Sequence, residues 1–308
     1  MNYKYLFRDP EKRVKLMQSL SFIPDRVMIK WQYRIKLGRK LNLKRPKRYS
    51  EKIQLYKLRY RNPLMAECVD KYNVRKYVEQ KIGEKYLNTL YGVYQSPEEV
   101  PFNELPNQFV LKDTLGSNGD LSMILVTDKS KLNINEAKSL MQKWVDEPVD
   151  KKNAGREWVY DGNKHRIIAE RLLISDENGD LPDYKFFCFK GKVFCSYMMM
   201  NYTMHHDEGV LGFFDRDFNL LPVHRADFAP MLEQPPKPQN YNLMVDLAEK
   251  LAVDFPHVRV DFYNIDGMIV FGELTFFNAS GYVQFDPDEF DFIMGQQFEV
   301  PTYNSQRK

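Results

Sequence analysis

The chain of 308 residues is long enough for two packed lobes, and its 43% hydrophobic and 28% charged residues are an ordinary globular composition. No apolar run approaches the roughly 20 residues needed to cross a bilayer, and no secretory signal opens the sequence. The three cysteines fit neither a disulfide framework nor a zinc spacing, so these features exclude membrane-spanning and disulfide-stapled classes and predict a cytoplasmic protein.

The net charge of +3 hides a basic block between residues 30 and 61, where thirteen Lys and Arg accompany a single acid, Glu51. The block carries +12, and the rest of the chain therefore sums to −9. Such a block is typical of proteins that meet a polyanion or an acidic membrane surface, here the inner face of the membrane. A solvated helix face without a partner is the alternative. No recognised nucleic-acid motif accompanies the charge, so nucleic acid is not an expected partner.

The first part of the chain has a helical pattern. We expect helices within 26–44, 49–61 and 66–81, and then a loop that three prolines mark at 97, 101 and 106. We therefore assign residues 1–104 to a basic helical N-terminal region.

After this loop the hydrophobic period changes from helix to strand. The pattern predicts strands at 108–112, 122–126 and 166–173, helices at 134–146 and 242–253, and hairpins at 184–200 and 258–277. The hairpin turns are expected at Lys190-Gly191 and Asp266-Gly267, and a further turn at 176–180. Strands interleaved with single helices predict an α+β fold, not a doubly wound parallel sheet.

The second hairpin carries the most informative residues. Its even positions form one apolar stripe: Val258, Val260, Phe262, Val270 and Leu274. If the turn is an odd-numbered loop, such as 265–267, then odd positions pair with odd, and Arg259, Asp261 and Glu273 share the other face. Two adjacent carboxylates favour a hard cation such as magnesium between them, with Arg259 left for a phosphate. The alternative is a solvated face on which Arg259 forms salt bridges with both acids.

Further charges lie in the preceding strands. Lys112 ends an apolar strand and is followed by a loop in which Gly116, Ser117, Asn118 and Gly119 could turn backbone N–H groups toward an anion, although a surface hairpin loop looks much the same. Glu170 lies inside a buried strand and needs a partner. Asp183 and Lys185 are two apart and share a strand face.

These pieces, in this order, resemble the ATP-grasp superfamily, and in particular its subgroup named for teichuronopeptide biosynthesis, which is found with bacterial surface-polysaccharide genes. The resemblance rests on segments DKYNVRKYV (70–78), LPNQFVLK (105–112), IIAERLL (167–173), DYKFFCFKGKV (183–193), FFDRDFNLLP (213–222) and FPHVRVDFYNIDGMIVFGELTFFNASG (255–281), together with the glycine loop. It implies two β-rich lobes that enclose ATP, with the lid lobe at 105–169 and the central lobe at 170–308.

The resemblance also implies a role for each matching residue. The nucleotide would be held by Lys112 at its α/β-phosphates, by Gly116–Gly119 over its β/γ-phosphates, by Glu170 and the backbone at Leu172 at its adenine, and by Asp183 at its ribose. The catalytic residues Lys185 and Arg259 would face the transferring phosphate, and Asp261 and Glu273 would bind Mg²⁺.

Three positions depart from the family pattern. The superfamily often has Asn where this chain has Thr275, so the third metal ligand is open. The subgroup commonly has His where Leu115 stands, and Pro near the position of Asn278. None of these changes removes a charge that phosphate or metal requires.

The resemblance implies an ATP- and Mg²⁺-dependent ligase that joins an amine donor to a carboxylate of an acidic polysaccharide or a lipid-linked sugar through an acylphosphate. A kinase of the same fold is one alternative. A glycosyltransferase is another, because Asp215 and Asp217 have Asp-x-Asp spacing, although a tight turn is the simpler interpretation. A non-catalytic polyanion-binding protein is the last. His205 and His206 could contact substrate or belong to an exposed loop.

Overall fold

The computed structural model describes residues 19–116, 121–148, 152–174, 181–200 and 209–301. The helices are α1 (Asp25–Leu37), α2 (Tyr49–Arg59), α3 (Pro63–Cys68), α4 (Val74–Ile82), α5 (Ile134–Val145), α6 (Tyr241–Ala252) and α7 (Glu289–Gln297). The strands are β1 (Leu90–Tyr94), β2 (Phe109–Asp113), β3 (Met123–Val126), β4 (Ile167–Glu170), β5 (Asp183–Phe189), β6 (Lys192–Met200), β7 (Val210–Asp215), β8 (His224–Arg225), β9 (Ala229–Pro230), β10 (His257–Ile265), β11 (Met268–Thr275) and β12 (Phe285–Asp286). Helices and a mainly antiparallel sheet make this an α+β fold, as the sequence predicts.

A small lobe is built on an antiparallel four-stranded sheet with the order β1-β4-β2-β3. Helix α5 covers one face, because Ala137, Met141 and Trp144 form its buried stripe at helical spacing. The buried side of the sheet, including Phe109 and Leu111, packs with Met141 and Trp144 into a separate apolar cluster. This lobe therefore has a core of its own.

The larger lobe is a six-stranded sheet with the order β11-β10-β5-β6-β7-β9. All its strand pairs are antiparallel except β7 with β9. Helix α6 packs on β5, β6 and β10. Fully buried aromatic side chains, among them Phe186, Phe187 and Phe262, dominate the core, and each contributes about 2–3 kcal/mol by burial.

Helices α2, α3 and α4 belong to the core of the larger lobe, whereas the buried side of α1 forms a smaller apolar cluster of its own with α2. Tyr49, Ile53 and Tyr56 on α2 are fully buried in the same cluster as the central strands. Helix α7 lies against the start of α2, where Asp291 accepts hydrogen bonds from the Ser50 backbone N–H at 2.8 Å and its hydroxyl at 2.7 Å. The basic block is thus partly internal, since Arg48 pairs with Asp288 and Asp291, and Lys52 donates to backbone carbonyls of α7 and the residue after it.

Several elements differ from the sequence expectations. Strand β1 joins the small sheet, so this lobe begins near residue 90, inside the stretch expected to be helical. The single helix expected over 66–81 is broken between α3 and α4, where the Asp70 carboxylate accepts from the backbone N–H groups of Tyr72 and Asn73. Strand β4 is shorter than expected, and β7 and α7 were not predicted. The turn expected at 176–180 lies outside the described residues.

Among the described residues, no helix combines the length and the apolar character needed to cross a membrane.

Candidate active site

The hairpin β10–β11 places both candidate metal ligands on one face of the sheet. Asp261 is the direct cross-strand partner of Glu273, and Arg259 is the partner of Thr275. The turn is a two-residue one, with Ile265 paired to Met268 and both Asp266 (φ 50°) and Gly267 (φ 87°) left-handed, as in a type I′ turn. The odd-numbered loop of the sequence analysis is therefore wrong.

A bulge at Gly272 restores the expected pairing. Phe262 pairs with Phe271 while Asp261 pairs with Glu273, so Gly272 is the extra residue on β11. A Cβ atom at Gly272 would lie 3.1 Å from the Asp261 carbonyl oxygen, which explains why glycine occupies the bulge position. The bulge also changes which residues of β11 face the core. The apolar cluster of the large lobe contains Ile269 and Phe271 in place of the expected Val270. The other expected residues of the stripe are in the same cluster: Val258, Val260, Phe262 and Leu274.

Arg259 forms the centre of the cluster. Its guanidinium donates to both Asp261 carboxylate oxygens at 2.7 and 2.6 Å, to Glu273 at 2.7 Å and to the Thr275 hydroxyl at 2.9 Å. Its remaining nitrogen donates to Asn278 at 2.5 Å. Burial opposes the charge, but the neighbouring carboxylates outweigh it and raise the pKa of Arg259 well above its ordinary value. Arg259 therefore forms salt bridges with both acids, as in the alternative of the sequence analysis, but Arg259 and Asp261 are buried and do not lie on a solvated face.

Lys185 extends the cluster onto the neighbouring strand. It pairs across β5 and β10 with Asp261, to which its Nζ donates at 2.6 Å, and it also contacts Asp183. Burial opposes its charge, yet Asp183 and Asp261 raise the pKa of Lys185 well above the ordinary value. Burial also opposes ionisation of Glu273, but Arg259, Lys185 and Lys71 outweigh it and lower its pKa to about 2. Glu273 is therefore a carboxylate at any physiological pH.

A cavity of about 320 Å³ lies between the two sheets and gathers residues from both. Its polar lining comprises Lys71, Arg75, Asn88, Lys112, Gly116, Ser122, Glu170, Lys185, Asp261, Tyr263 and Glu273. This volume falls within the roughly 300–1,000 Å³ of small-molecule pockets. Asp261 and Glu273, on the large sheet, thus face the same space as Lys112 on the small one.

Glu170 has the partners that its buried position requires. Its carboxylate accepts from Lys112 at 3.0 Å and from Arg75 at 3.2 Å. The three side chains come from β4, β2 and α4, so they join the small lobe to the N-terminal helices at the cavity wall. Leu172 lies in a separate surface depression, whereas the next residue, Leu173, lines the main cavity.

Asp183 has a buried carboxylate oxygen to which no described residue donates a hydrogen bond. Its Oδ1 is buried and has no hydrogen-bond partner among the described residues, although Lys185 contacts the same carboxylate. Burial raises the pKa of Asp183. A buried acceptor without a donor is costly. Asp183 is not among the residues that line the cavity, however, so its contact with a ribose stays a prediction.

Lys71 and Arg75 line the cavity but were not among the site residues predicted from the sequence. Lys71 Nζ donates to the Gly116 carbonyl at 2.5 Å, which ties the N-terminal helices to the start of the glycine loop. Burial lowers the pKa of Lys71, against the opposing effect of Glu273 and Asp113. The signal was available, since both residues lie in the segment 70–78 that carried the family resemblance.

The glycine loop is described only at its first residue. Gly116 lines the cavity, and a Cβ there would lie 2.3 Å from the Ser122 Cβ. Ser117, Asn118 and Gly119 lie outside the described residues, as do His205 and His206.

The donor set fits magnesium with a nucleotide. Among the described residues, no group of three or more His, Cys, Asp and Glu side chains is arranged to hold a metal ion. Magnesium, however, is commonly held by one or two carboxylates and completes its shell with water and substrate phosphates. Asp261 and Glu273 provide that pair, while the Thr275 hydroxyl donates to Glu273 at 2.9 Å and supports it.

The Asp-x-Asp segment is a turn. The Asp215 carboxylate accepts from the backbone N–H groups of Asp217 and Asn219 at 2.9 and 2.8 Å and from the Asn219 side chain at 2.8 Å. Its oxygens are therefore engaged within the turn, which favours turn chemistry over a metal-bound nucleotide sugar.

Two β-rich lobes that enclose a cavity lined by lysines and paired carboxylates define an ATP-grasp fold. A family model described as TupA-like ATPgrasp matches residues 51–299, and the chain therefore belongs to the TupA-like ATP-grasp family. This confirms the resemblance drawn from the sequence.

Solved structures similar to this chain include an ADP complex of N5-carboxyaminoimidazole ribonucleotide synthetase, with 14% identity, a TM-score of 0.41, and coverage of 69% of this chain and 45% of that one. D-alanine–D-alanine ligase from Bacillus anthracis has 19% identity, a TM-score of 0.38, and coverage of 68% and 56%. The ATP-grasp ligase PsnB, complexed with a precursor variant, Mg and ADP, has 13% identity, a TM-score of 0.37, and coverage of 70% and 53%. The chain thus spans about half the length of these proteins. A search of curated proteins gave no match.

Proposed function

We propose that this protein is an ATP- and Mg²⁺-dependent ligase that activates a carboxylate as an acylphosphate for attack by an amine. The observation that carries the proposal is the convergence of Lys71, Lys112 and Lys185 with the pair Asp261 and Glu273 on one cavity. Cations at this density favour a polyphosphate, and the carboxylate pair favours its metal ion.

Bound Mg-ATP would supply the phosphoryl group. An oxygen of the substrate carboxylate forms a bond to the γ-phosphorus as the bond to the ADP oxygen breaks, and the amine then displaces phosphate from the acyl carbon and loses a proton. The protein contributes positioning and charge neutralisation. Lys185, which lines the cavity and holds its charge through the neighbouring acids, would stabilise the charge that develops on the transferring group. Arg259 does not line the cavity, and it would act by holding Asp261 and Glu273 in position.

For the substrate, we propose a uronic-acid carboxylate of a surface polysaccharide or of its lipid-linked precursor, with an amino compound as the donor. The support is the resemblance to a subgroup found with surface-polysaccharide genes, together with the basic block, which suits an acidic substrate. A cytoplasmic location is part of the same proposal, because ATP and nucleotide-linked sugars are found there.

The test incubates the protein with Mg-ATP, a panel of uronic acids and hydroxylamine. A hydroxamate formed together with ADP demonstrates the acylphosphate. ADP with a phosphorylated sugar and no hydroxamate identifies a kinase instead, and polymer binding without ADP release identifies a non-catalytic protein.

Two matched variants separate the ligase from a glycosyltransferase. Glu273→Gln removes one of the two predicted metal carboxylates and should reduce hydroxamate formation by about 10²-fold or more. Asp217→Asn, on the Asp215 turn, should leave the rate within about twofold. The reverse pattern would contradict the proposed site.

A further inference from the structure

Helix α1 exposes an apolar stripe. Val27, Trp31 and Ile35 are spaced by four residues and therefore follow one another along the helix surface. Their exposed fractions are 39%, 55% and 56%, and Phe22, just before the helix, is 79% exposed. Scattered exposed apolar residues need no explanation, but four on one short segment form a patch of the kind that marks a binding surface.

A basic stripe runs directly beside the apolar one. Arg26, Lys30 and Arg34 are exposed and have the same four-residue spacing, displaced by one position from the apolar stripe. The cationic surface continues beyond the helix, where four more residues are exposed: Lys40, Lys44, Arg45 and Lys47.

These exposed cations differ from the rest of the basic block in the contacts that they make. Arg39 and Arg48 pair with Asp288, and Lys57 is buried against backbone carbonyls. By contrast, none of the exposed set on α1 and the loop after it forms an ion pair with a described residue, and Arg34 donates to the Gly38 carbonyl. The block therefore divides into internal cations that hold the N-terminal helices and surface cations that are left for a partner.

The positive charge of this face favours some binding partners over others. Residues 1–18 of the chain contain five Lys and Arg and two acids, so that segment carries +3 and would meet like charge. A second copy of the same face would also be positive. An anionic lipid surface is complementary to both stripes, since it takes apolar side chains at its acyl boundary and cations among its headgroups.

We propose that the exposed face of α1 docks the protein on an anionic membrane surface. Trp31 and Ile35 enter the boundary between headgroups and acyl chains, while Arg26, Lys30 and Arg34 contact the lipid phosphates. This goes beyond the proposed ligase activity and is independent of it, because docking requires neither nucleotide nor acceptor.

The test measures co-sedimentation of the full chain with vesicles of phosphatidylcholine alone and with 30 mol% phosphatidylglycerol. We expect binding only to the anionic vesicles, with salt sensitivity. Trp31→Ser with Ile35→Ser, and separately Arg26→Gln with Lys30→Gln and Arg34→Gln, should each weaken binding by about tenfold or more. Leu232→Ser with Val253→Ser, which changes two apolar residues that are 85% and 61% exposed elsewhere, is the matched control and should bind like the wild type.

Trp31 also reports its own depth. Brominated lipid should quench wild-type fluorescence, and Trp31→Phe should keep binding but lose this quenching. Loss of binding in the charge variant alone, with the apolar variant unchanged, would show that charge alone drives binding, as for any polyanion, and would overturn the proposal. A lower melting temperature or a changed oligomeric mass in Trp31→Ser, without a change in vesicle binding, would show that the chain or a second copy covers the stripe and would also overturn it.

Discussion

At the scale of single residues, the site depends on opposite charges that neutralise one another. Sequence alone predicted Arg259, Asp261 and Glu273 on one face, and the structure places them there, but by a different route. A two-residue turn and a bulge at Gly272 replace the expected odd-numbered loop. The alternation of side chains along two strands identifies which residues share a face only if the register between the strands is known. A bulge shifts that register, and the pattern of polar and apolar residues does not reveal it.

The same limit explains the residues that were missed. Lys71 and Arg75 look like solvent-facing positions of a helical segment, because a periodic pattern identifies the buried face but not what an exposed face meets in space. Their charged partners in the cavity include Lys112, Lys185 and Glu273, which lie on strands much further along the chain. Only packing of the lobes brings them together.

His257 lies in the core beside the site, and its burial there has a testable effect on the pH dependence of stability. It is fully buried, its Nδ1–H donates to the Cys188 carbonyl at 2.9 Å, and its Nε2 accepts from the Tyr49 hydroxyl at 2.9 Å. Burial lowers the pKa of His257 to about 3. The unfolded chain, with a pKa near 6.5, therefore binds a proton that the folded chain does not, and stability falls as the pH drops from 6.5 toward 3.

We predict that this residue contributes about 2.5 kcal/mol to the loss of unfolding free energy between pH 7 and pH 4.5. His257→Phe should be less stable at pH 7 by about 2 kcal/mol, because two buried polar groups lose their partner, but its stability should fall less steeply with acid. Urea unfolding at several pH values measures both effects. Equal slopes in wild type and His257→Phe would contradict the assigned protonation.

At the scale of elements, the hairpins and the helices with clear amphipathic stripes were predictable, and the contacts between elements were not. Helices α5 and α6 and the turns at Lys190-Gly191 and Asp266-Gly267 follow the sequence pattern closely. Helix α7 was missed because its apolar residues form no clear stripe, since it is buried by its fit against α2.

Gly295 makes that fit possible. A Cβ there would lie 2.1 Å from the Lys47 carbonyl oxygen and 2.8 Å from the Tyr49 nitrogen, and both are backbone atoms that cannot move aside cheaply. In most helices Gly→Ala stabilises by up to about 1 kcal/mol, but here we predict the opposite sign, a loss of about 2 kcal/mol. Thermal unfolding of Gly295→Ala should show a melting temperature lowered by several degrees, whereas Gln296→Ala on the exposed side of α7 should not. An unchanged melting temperature in Gly295→Ala would mean that α7 does not pack this closely.

At the scale of the whole molecule, the N-terminal helices join the two lobes. They contribute Tyr49 and Tyr56 to the core of the large lobe, Arg75 to Glu170 of the small one, and Lys71 to the cavity between them. The division of the chain into a helical region and two lobes was drawn from the pattern of the sequence. That pattern could not show that the helical region contributes residues to both the core and the site.

This arrangement predicts that replacing Lys71 weakens nucleotide binding but has little effect on the stability of the protein without nucleotide. Burial disfavours its charge, which offsets the loss of its hydrogen bond to the Gly116 carbonyl, so Lys71→Met should change the melting temperature little without ligand. The proposed nucleotide would lose a cation at its phosphates. We expect Mg-ADP at about 100 times its dissociation constant to stabilise the wild type by roughly 2.7 kcal/mol, and the same concentration to stabilise Lys71→Met much less. Lys40→Met, on the exposed basic loop, should behave as wild type, and Mg²⁺ should be needed for the full shift. A full Mg-ADP shift in Lys71→Met would remove this lysine from the nucleotide site, and no shift in the wild type would contradict the nucleotide site itself.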